Sequence, residues 1–141
     1  MSDRERDFVD TNVLIYANDV TAGTKRDRAA NLVSSIWKQQ SGCVSIQVLQ
    51  ELYVNLTRKV PQPLDGLAAS RIVADLSKWR VHSPQPPDLV AAIEIHLRNQ
   101  ISFWDAMIVR SATRLGCTRI WSEDLNAGQI YEGVRVEDPF A

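Results

Sequence analysis

Asp7-Phe-Val-Asp-Thr-Asn-Val-Leu-Ile-Tyr16 is the stretch that decides how the rest of the chain is read. Phe8 and Val9 are strand formers set between charged residues, and Asp10-Thr11-Asn12 follows where a helical apolar pattern starts at Val13, Leu14 and Ala17. A short first strand therefore ends on a carboxylate and turns at once into a helix. In an open α/β sheet the carboxyl ends of the strands open onto the crevice where ligands bind, and Asp10 stands at that address. Asp10 or Thr11 also fits a plain helix cap. Three more acids at comparable places further along favour a site.

Outward from this stretch, positions 18–24 read as a loop, and Ala29, Leu32, Val33, Ile36 and Trp37 fall at helical spacing over 25–40. Ser41-Gly42 stops that helix, and Cys43-Val-Ser-Ile46 reads as a second strand. Another helix follows directly, with Val48, Leu49, Leu52, Tyr53 and Leu56 as its apolar face. Glu51 lies early in this helix and points away from the middle of that face. Spacing alone reads it as a solvated glutamate; its place just after a strand end keeps it a candidate.

Pro61-Gln-Pro63 ends the helix, and Asp65-Gly66 starts the next, with Leu67, Ile72, Val73, Leu76 and Trp79 apolar. Arg80-Val-His82 reads as a third strand, Ser83-Pro-Gln-Pro-Pro87 as a rigid connection, and 89–99 as an amphipathic helix. Ser102-Phe-Trp-Asp105 opens the most apolar helix of the chain, which closes at Gly116. Ser102 with an acid three residues later fits a capping box, yet an ionised carboxylate on so apolar a helix also needs a partner such as a cation. The two readings of Asp105 stand side by side. Thr118-Arg-Ile-Trp121 is a further strand, and Ser122-Glu-Asp124 leaves its carboxyl end, so Asp124 matches Asp10 in placement or sits in an Asx-type turn. Val134-Arg-Val136 is the last strand. Short strands alternating with helices predict an α/β fold, a parallel sheet covered by helices on both faces.

A chain of 141 residues suits one domain, here spanning 1–141, and its 45% hydrophobic and 23% charged residues exclude a disordered chain. Net charge is -1, so no global field attracts nucleic acid and a polyanion must be met by local basic groups or bound metal. Lys25-Arg26-Asp27-Arg28, Arg58-Lys59 and the pair Arg110 and Arg114 are small basic groups that read first as solvated faces. Cys43 and Cys117 have no partner at metal-ligand spacing and read as small buried hydrophobes in a reducing compartment. His82 and His96 read as structural or exposed. The charged amino terminus is not followed by a long apolar run and no stretch approaches a membrane span, so a cytoplasmic protein with no membrane contact is expected.

Asp10, Glu51, Asp105 and Asp124 each fall near a strand end or in the first turns of a helix, places that converge on one crevice in a doubly wound sheet. Four carboxylates together repel, so some stay protonated unless a cation joins them. Acids without histidine or cysteine suit a hard ion, Mg2+ or Mn2+, and such an ion serves phosphodiester hydrolysis. The spacing admits this chemistry without specifying it.

Phe-Val-Asp10-Thr-Asn-Val-Leu-Ile-Tyr resembles the opening motif of the PIN-domain nucleases. Val44-Ser-Ile-Gln-Val-Leu-Gln-Glu51-Leu-Tyr, Ser102-Phe-Trp-Asp105-Ala-Met-Ile and Ile120-Trp-Ser122-Glu-Asp124-Leu resemble the family's second, third and fourth acidic motifs, and Gly133-Val-Arg-Val-Glu-Asp-Pro-Phe140 the closing strand of its VapC-type toxins. Coverage is essentially the whole chain. The resemblance implies a three-layer α/β/α domain with a parallel sheet of about five strands, the first and fourth adjacent. It carries the catalytic, metal-binding acids onto Asp10, Glu51, Asp105 and Asp124, with Asn12 and Ser122 in support, and prefers Asp124 to Glu123. It further implies a Mg2+-dependent endoribonuclease acting on RNA, the toxin of a type II toxin–antitoxin pair, usually a homodimer and neutralised by a small antitoxin. Four tryptophans fit a partner surface or the core equally.

Two other classes place an aspartate at the end of the first strand. A phosphotransfer domain of the phosphatase kind wants a second aspartate two residues on, where this chain has Asn12, and a signalling receiver wants paired acids and a late lysine. A domain that only binds RNA or protein would be hindered on a polyanion by four intact acids.

Overall fold

The computed structural model describes residues 5–141, so the charged opening at 1–4, read above as no secretory signal, lies outside the described residues. Chain order is β1 (Asp7–Val9), α1 (Thr11–Asn18), α2 (Thr24–Gln39), β2 (Gly42–Ser45), α3 (Ile46–Arg58), α4 (Gly66–Leu76), β3 (Arg80–His82), α5 (Pro86–Asn99), α6 (Phe103–Arg114), β4 (Arg119–Trp121), β5 (Ile130–Tyr131) and β6 (Val134–Glu137). The strands form one sheet in the order β3-β2-β1-β4-β6-β5, parallel except for the antiparallel β5 and β6 pair. β1 and β4 are adjacent, as the resemblance implied, with Phe8 opposite Ile120.

That order has one functional consequence. From β1 the chain steps outward to β2 and β3, then returns to the other side of β1 as β4, so the winding reverses between β1 and β4. Their carboxyl ends part there and leave a crevice. The strands are short because little more than Phe8, Val9, Cys43, Val44 and Ile120 must cross the core, and all five are buried. Helices cover both faces: α1 packs on α2 and α3, α3 on α4, while α5 packs on α6, which lies against β2, β4 and β6. This is the three-layer α/β/α arrangement.

Two elements differ from the sequence reading. The sheet has a sixth strand, β5, joined to β6 by Glu132 and Gly133, which both take positive φ (51° and 83°), the two-residue turn that suits a twisted hairpin. A two-residue strand carries no periodic signal. The rigid connection at 83–87 is shorter than expected, because Pro86 and Pro87 open α5 from within its first turn, where a missing amide costs nothing. Cys43 and Cys117 are both buried, and among the described residues no helix is long and apolar enough to cross a membrane.

Candidate metal and nuclease centre

Asp10 closes β1 and caps α1, so the cap and the site are the same residue. Its side chain accepts from the Thr11 amide (2.7 Å) and from Ser122 Oγ (2.8 Å), while its own amide donates to Trp121 O (2.9 Å) at the end of β4. The carboxylate is only 6% exposed. Burial pushes its pKa up to about 6, against the lowering effect of the two hydrogen bonds, and repulsion from Asp105 and Asp124 adds to the rise. Mutual repulsion is thus the smaller cause; desolvation is the larger.

Ser122 is fully buried and holds the strand ends together. Its hydroxyl donates to Asp10 and accepts from the amides of Asp124 (3.1 Å) and Leu125 (3.3 Å), so the loop carrying Asp124 is wound around the group that anchors Asp10. Asn12 Oδ1 accepts from the Glu123 amide (3.3 Å), while its buried Nδ2 has no partner among the described residues. Glu123 turns the other way: Tyr16 donates to its Oε1 (3.2 Å) and Lys25 pairs with its Oε2. That leaves Asp124 as the acid of this pair that faces the crevice. Lys25, read as part of a solvated basic run, is engaged by Glu123 and lies over the Tyr16 and Phe140 rings.

Glu51 lies in α3, which starts immediately after β2, so one and a half turns carry it back over the crevice. It is exposed, as its spacing implied, yet it accepts a hydrogen bond from Thr11 Oγ1 (3.0 Å) that spacing did not foretell. Ser102 caps α6 by accepting from the Asp105 amide (3.0 Å). Among the described residues the Asp105 carboxylate makes no return bond to the Ser102 amide, so only half of the capping box forms. Burial raises the Asp105 pKa, the Ser102 contact opposes the rise and Asp124 adds to it.

Asp10, Glu51, Asp105 and Asp124 all line one cleft of about 100 Å³, together with Thr11, Asn12, Gln47, Trp104 and Ile108. Among the described residues no lysine, arginine, histidine or cysteine lines it. Among the described residues no three acidic, histidine or cysteine side chains stand close enough to hold an ion as they are, so the carboxylates face a gap rather than a closed cage. The donor set still fits a divalent hard cation, being all oxygen and anionic, and a cation would relieve the cost of ionising Asp10.

A larger cavity of about 700 Å³ lies among Arg6, Trp37, Trp79 and Arg80, at the amino ends of the strands and away from the acids. A second polar group sits away from the cleft: His82 Nδ1 meets Ser111 Oγ at 2.8 Å and its Nε2 meets Asp88 at 3.3 Å. The order Ser-His-Asp imitates a nucleophile relay, but Ser111 is 1% exposed inside α6 and has no access to substrate. Asp88 is the centre of a structural knot. It accepts from the Gln85 amide and from Arg110 Nε, both at 2.8 Å, with Arg114 at 3.7 Å. Arg110 is therefore committed to a buried acid, a pairing that joins α5 to α6 and has no signal in the spacing, while Arg114 stays largely exposed, as a solvated face should.

A family model described as PIN domain matches residues 8–133. Among solved structures, the chain is similar to the Mycobacterium tuberculosis VapC20 toxin, described as cleaving the sarcin–ricin loop, with TM-score 0.67 and 22% identity over 92% of this chain and 98% of that one. It is similar to a toxin–antitoxin complex from Klebsiella pneumoniae (TM-score 0.69, 18% identity, 94% and 97% covered). DNA-bound VapBC from Salmonella typhimurium aligns with TM-score 0.64 and 21% identity, over 96% and 99%. Among curated protein sequences none matches.

Proposed function

This chain belongs to the PIN-domain family, and from that premise we propose that it is a Mg2+-dependent endoribonuclease, the toxin of a toxin–antitoxin pair acting in the cytoplasm. The observation that carries the reading is the meeting of four carboxylates from four separate segments at the β1/β4 switch point, with no basic side chain among them. Such a constellation suits metal-assisted phosphodiester hydrolysis, the chemistry that the family membership favours.

Asp10, Asp105, Asp124 and Glu51 would hold the ion, with Mn2+ able to replace Mg2+. The bound ion supplies neutralisation of charge on the scissile phosphate and a lowered pKa for the attacking water. The chain's own residues then have distinct tasks. Ser122 fixes the Asp10 carboxylate and the Asp124 loop in one hydrogen-bonded unit. Thr11 orients Glu51. Lys25 and Tyr16 keep Glu123 turned out of the cleft, which spares the site a fifth carboxylate.

Two partners accompany this reading. α5 presents an exposed stripe of Leu89, Val90, Ile93 and Leu97, which supports a homodimer formed through that helix. An apolar groove of about 430 Å³ between α1, α2 and α4, walled by Leu14, Val33, Trp37, Ile72 and Leu76, is the seat we assign to a small antitoxin. Structural neighbours described as toxin–antitoxin complexes support that partner.

The test is cleavage of a panel of RNAs by partner-free protein, comparing Mg2+ with excess chelator and wild type with Asp10→Asn. Metal-dependent cutting absent from the variant is expected. Cutting that persists in chelator would overturn the proposal.

A further inference from the structure

Trp104 is 63% exposed at the mouth of the acidic cleft, one residue before Asp105 and in the first turn of α6. Among the described residues it is the sole aromatic side chain lining that cleft, and its neighbour Phe103 braces it edge-on with ring centroids 5.1 Å apart. A large indole left in water beside carboxylates gives up hydrophobic stabilisation that the fold does not recover. The cleft also lacks lysine and arginine, so cleft side chains supply a polyanion with no electrostatic attraction. Within the cleft a surface indifferent to charge can add to the ion's affinity, and an exposed, braced indole is such a surface for a nucleobase.

We infer that Trp104 is a stacking platform for an unpaired base next to the phosphate held at the acids. The inference rests on the reading of the cleft as an RNA site. In a duplex the base faces are covered by their neighbours and the indole has nothing to stack on. The same cleft is lined by Gln47 of α3, whose amide can meet a base edge.

The test uses the full chain as wild type, Trp104→Phe and Trp104→Ala, with labelled oligoadenylate, oligouridylate and the duplex the two strands form. Binding is read by fluorescence anisotropy with Ca2+ in place of Mg2+, cleavage is read with Mg2+, and oligomeric state by size-exclusion chromatography with light scattering. Expected results are tighter binding of single strands than of the duplex, and a loss of roughly 5- to 100-fold in Trp104→Ala, the equivalent of one base–aromatic stack, largely restored in Trp104→Phe. The loss should fall on KM rather than kcat. Equal affinity of wild type and Trp104→Ala, or equal binding of duplex, overturns the inference. So does a change of oligomeric state with RNA affinity unchanged, which would assign the indole to a protein interface. Binding that depends on Trp104 without any cleavage would instead overturn the nuclease proposal and leave the stacking site standing.

Discussion

Asp10→Asn should stabilise the metal-free protein while abolishing its activity. In the fold the Asp10 pKa stands at about 6 against the ordinary 3.8, burial being the main cause. A folded-state value above the unfolded one means that the unfolded chain ionises first as pH rises. The group costs nothing below both values, and the cost grows between them and is complete above about 6. A rise from 3.8 to about 6 corresponds to about 3 kcal/mol at pH 7.5, falling to about 0.6 kcal/mol at pH 4. Asparagine keeps the volume and one acceptor oxygen, so either the Thr11 amide or Ser122 Oγ loses its partner, at about 1 kcal/mol. The net gain is about 2 kcal/mol, or roughly 6 °C in Tm for a chain of this size. Urea and thermal denaturation in chelator, at pH 7.5 and pH 4, measure it. Wild type should also lose stability on this account between those pH values, and added Mg2+ should stabilise wild type more than the variant. A variant less stable than wild type at pH 7.5 in chelator would refute the reasoning, because it would mean that the buried charge is already satisfied without an ion.

Other outcomes follow from the same contacts. Ser122→Ala removes a donor that lowers the Asp10 pKa and unties the Asp124 and Leu125 amides; stability should fall by about 1–3 kcal/mol in urea unfolding, and the acidic limb of the kcat/KM profile should move to higher pH. At Asp88 burial raises the pKa, but the Gln85 amide, Arg110 and His82 outweigh it and hold the carboxyl below its ordinary value, so the stability it contributes is present above about pH 4 and lost as pH falls through the folded value. Asp88→Asn should therefore weaken the protein at neutral pH by about 1–3 kcal/mol and flatten its acid unfolding curve, with cleavage per folded molecule preserved. Leu97→Lys, placed in the exposed α5 stripe, should shift the light-scattering mass to that of a monomer without changing the circular dichroism spectrum.

How far the sequence reaches is clearest at particular residues. Val13, Leu14, Val48, Leu52 and Leu56 were legible because amphipathic helices write their buried face at a fixed period. The parallel direction of β1, β2, β3 and β4 was legible because helices separate those strands, whereas no helix stands between β4 and β6. Asp10, Asp105, Glu51 and Asp124 could be placed at strand and helix ends, and the fold brings all four to one cleft. What stayed hidden depends on contacts across the chain. The division of labour between Glu123 and Asp124 is made by Lys25, 98 positions away, and by Tyr16. The bond from Thr11 to Glu51 and the Asp88 knot join side chains that no local pattern relates. Asp7 is buried and accepts from Ser41 Oγ, Arg119 and Trp121, contacts that the sequence around it does not signal. Of the four tryptophans, Trp79 is buried and Trp121 partly so, whereas Trp37 and Trp104 are exposed, a division that composition could not make.

The most direct test of the account is the single-turnover cleavage rate of single-stranded RNA as a function of Mg2+ concentration, for wild type and for Asp105→Asn of equal thermal stability. Among the described residues the Asp105 carboxylate makes no hydrogen bond to Ser122 or Asp10, so its removal leaves that hydrogen-bonded scaffold in place. The account predicts a rate that saturates with Mg2+ in wild type and vanishes in chelator, and a variant that stays folded but cuts at no more than about a hundredth of that rate. A folded Asp105→Asn protein that cuts at the wild-type rate, or a wild-type rate indifferent to Mg2+, would contradict it.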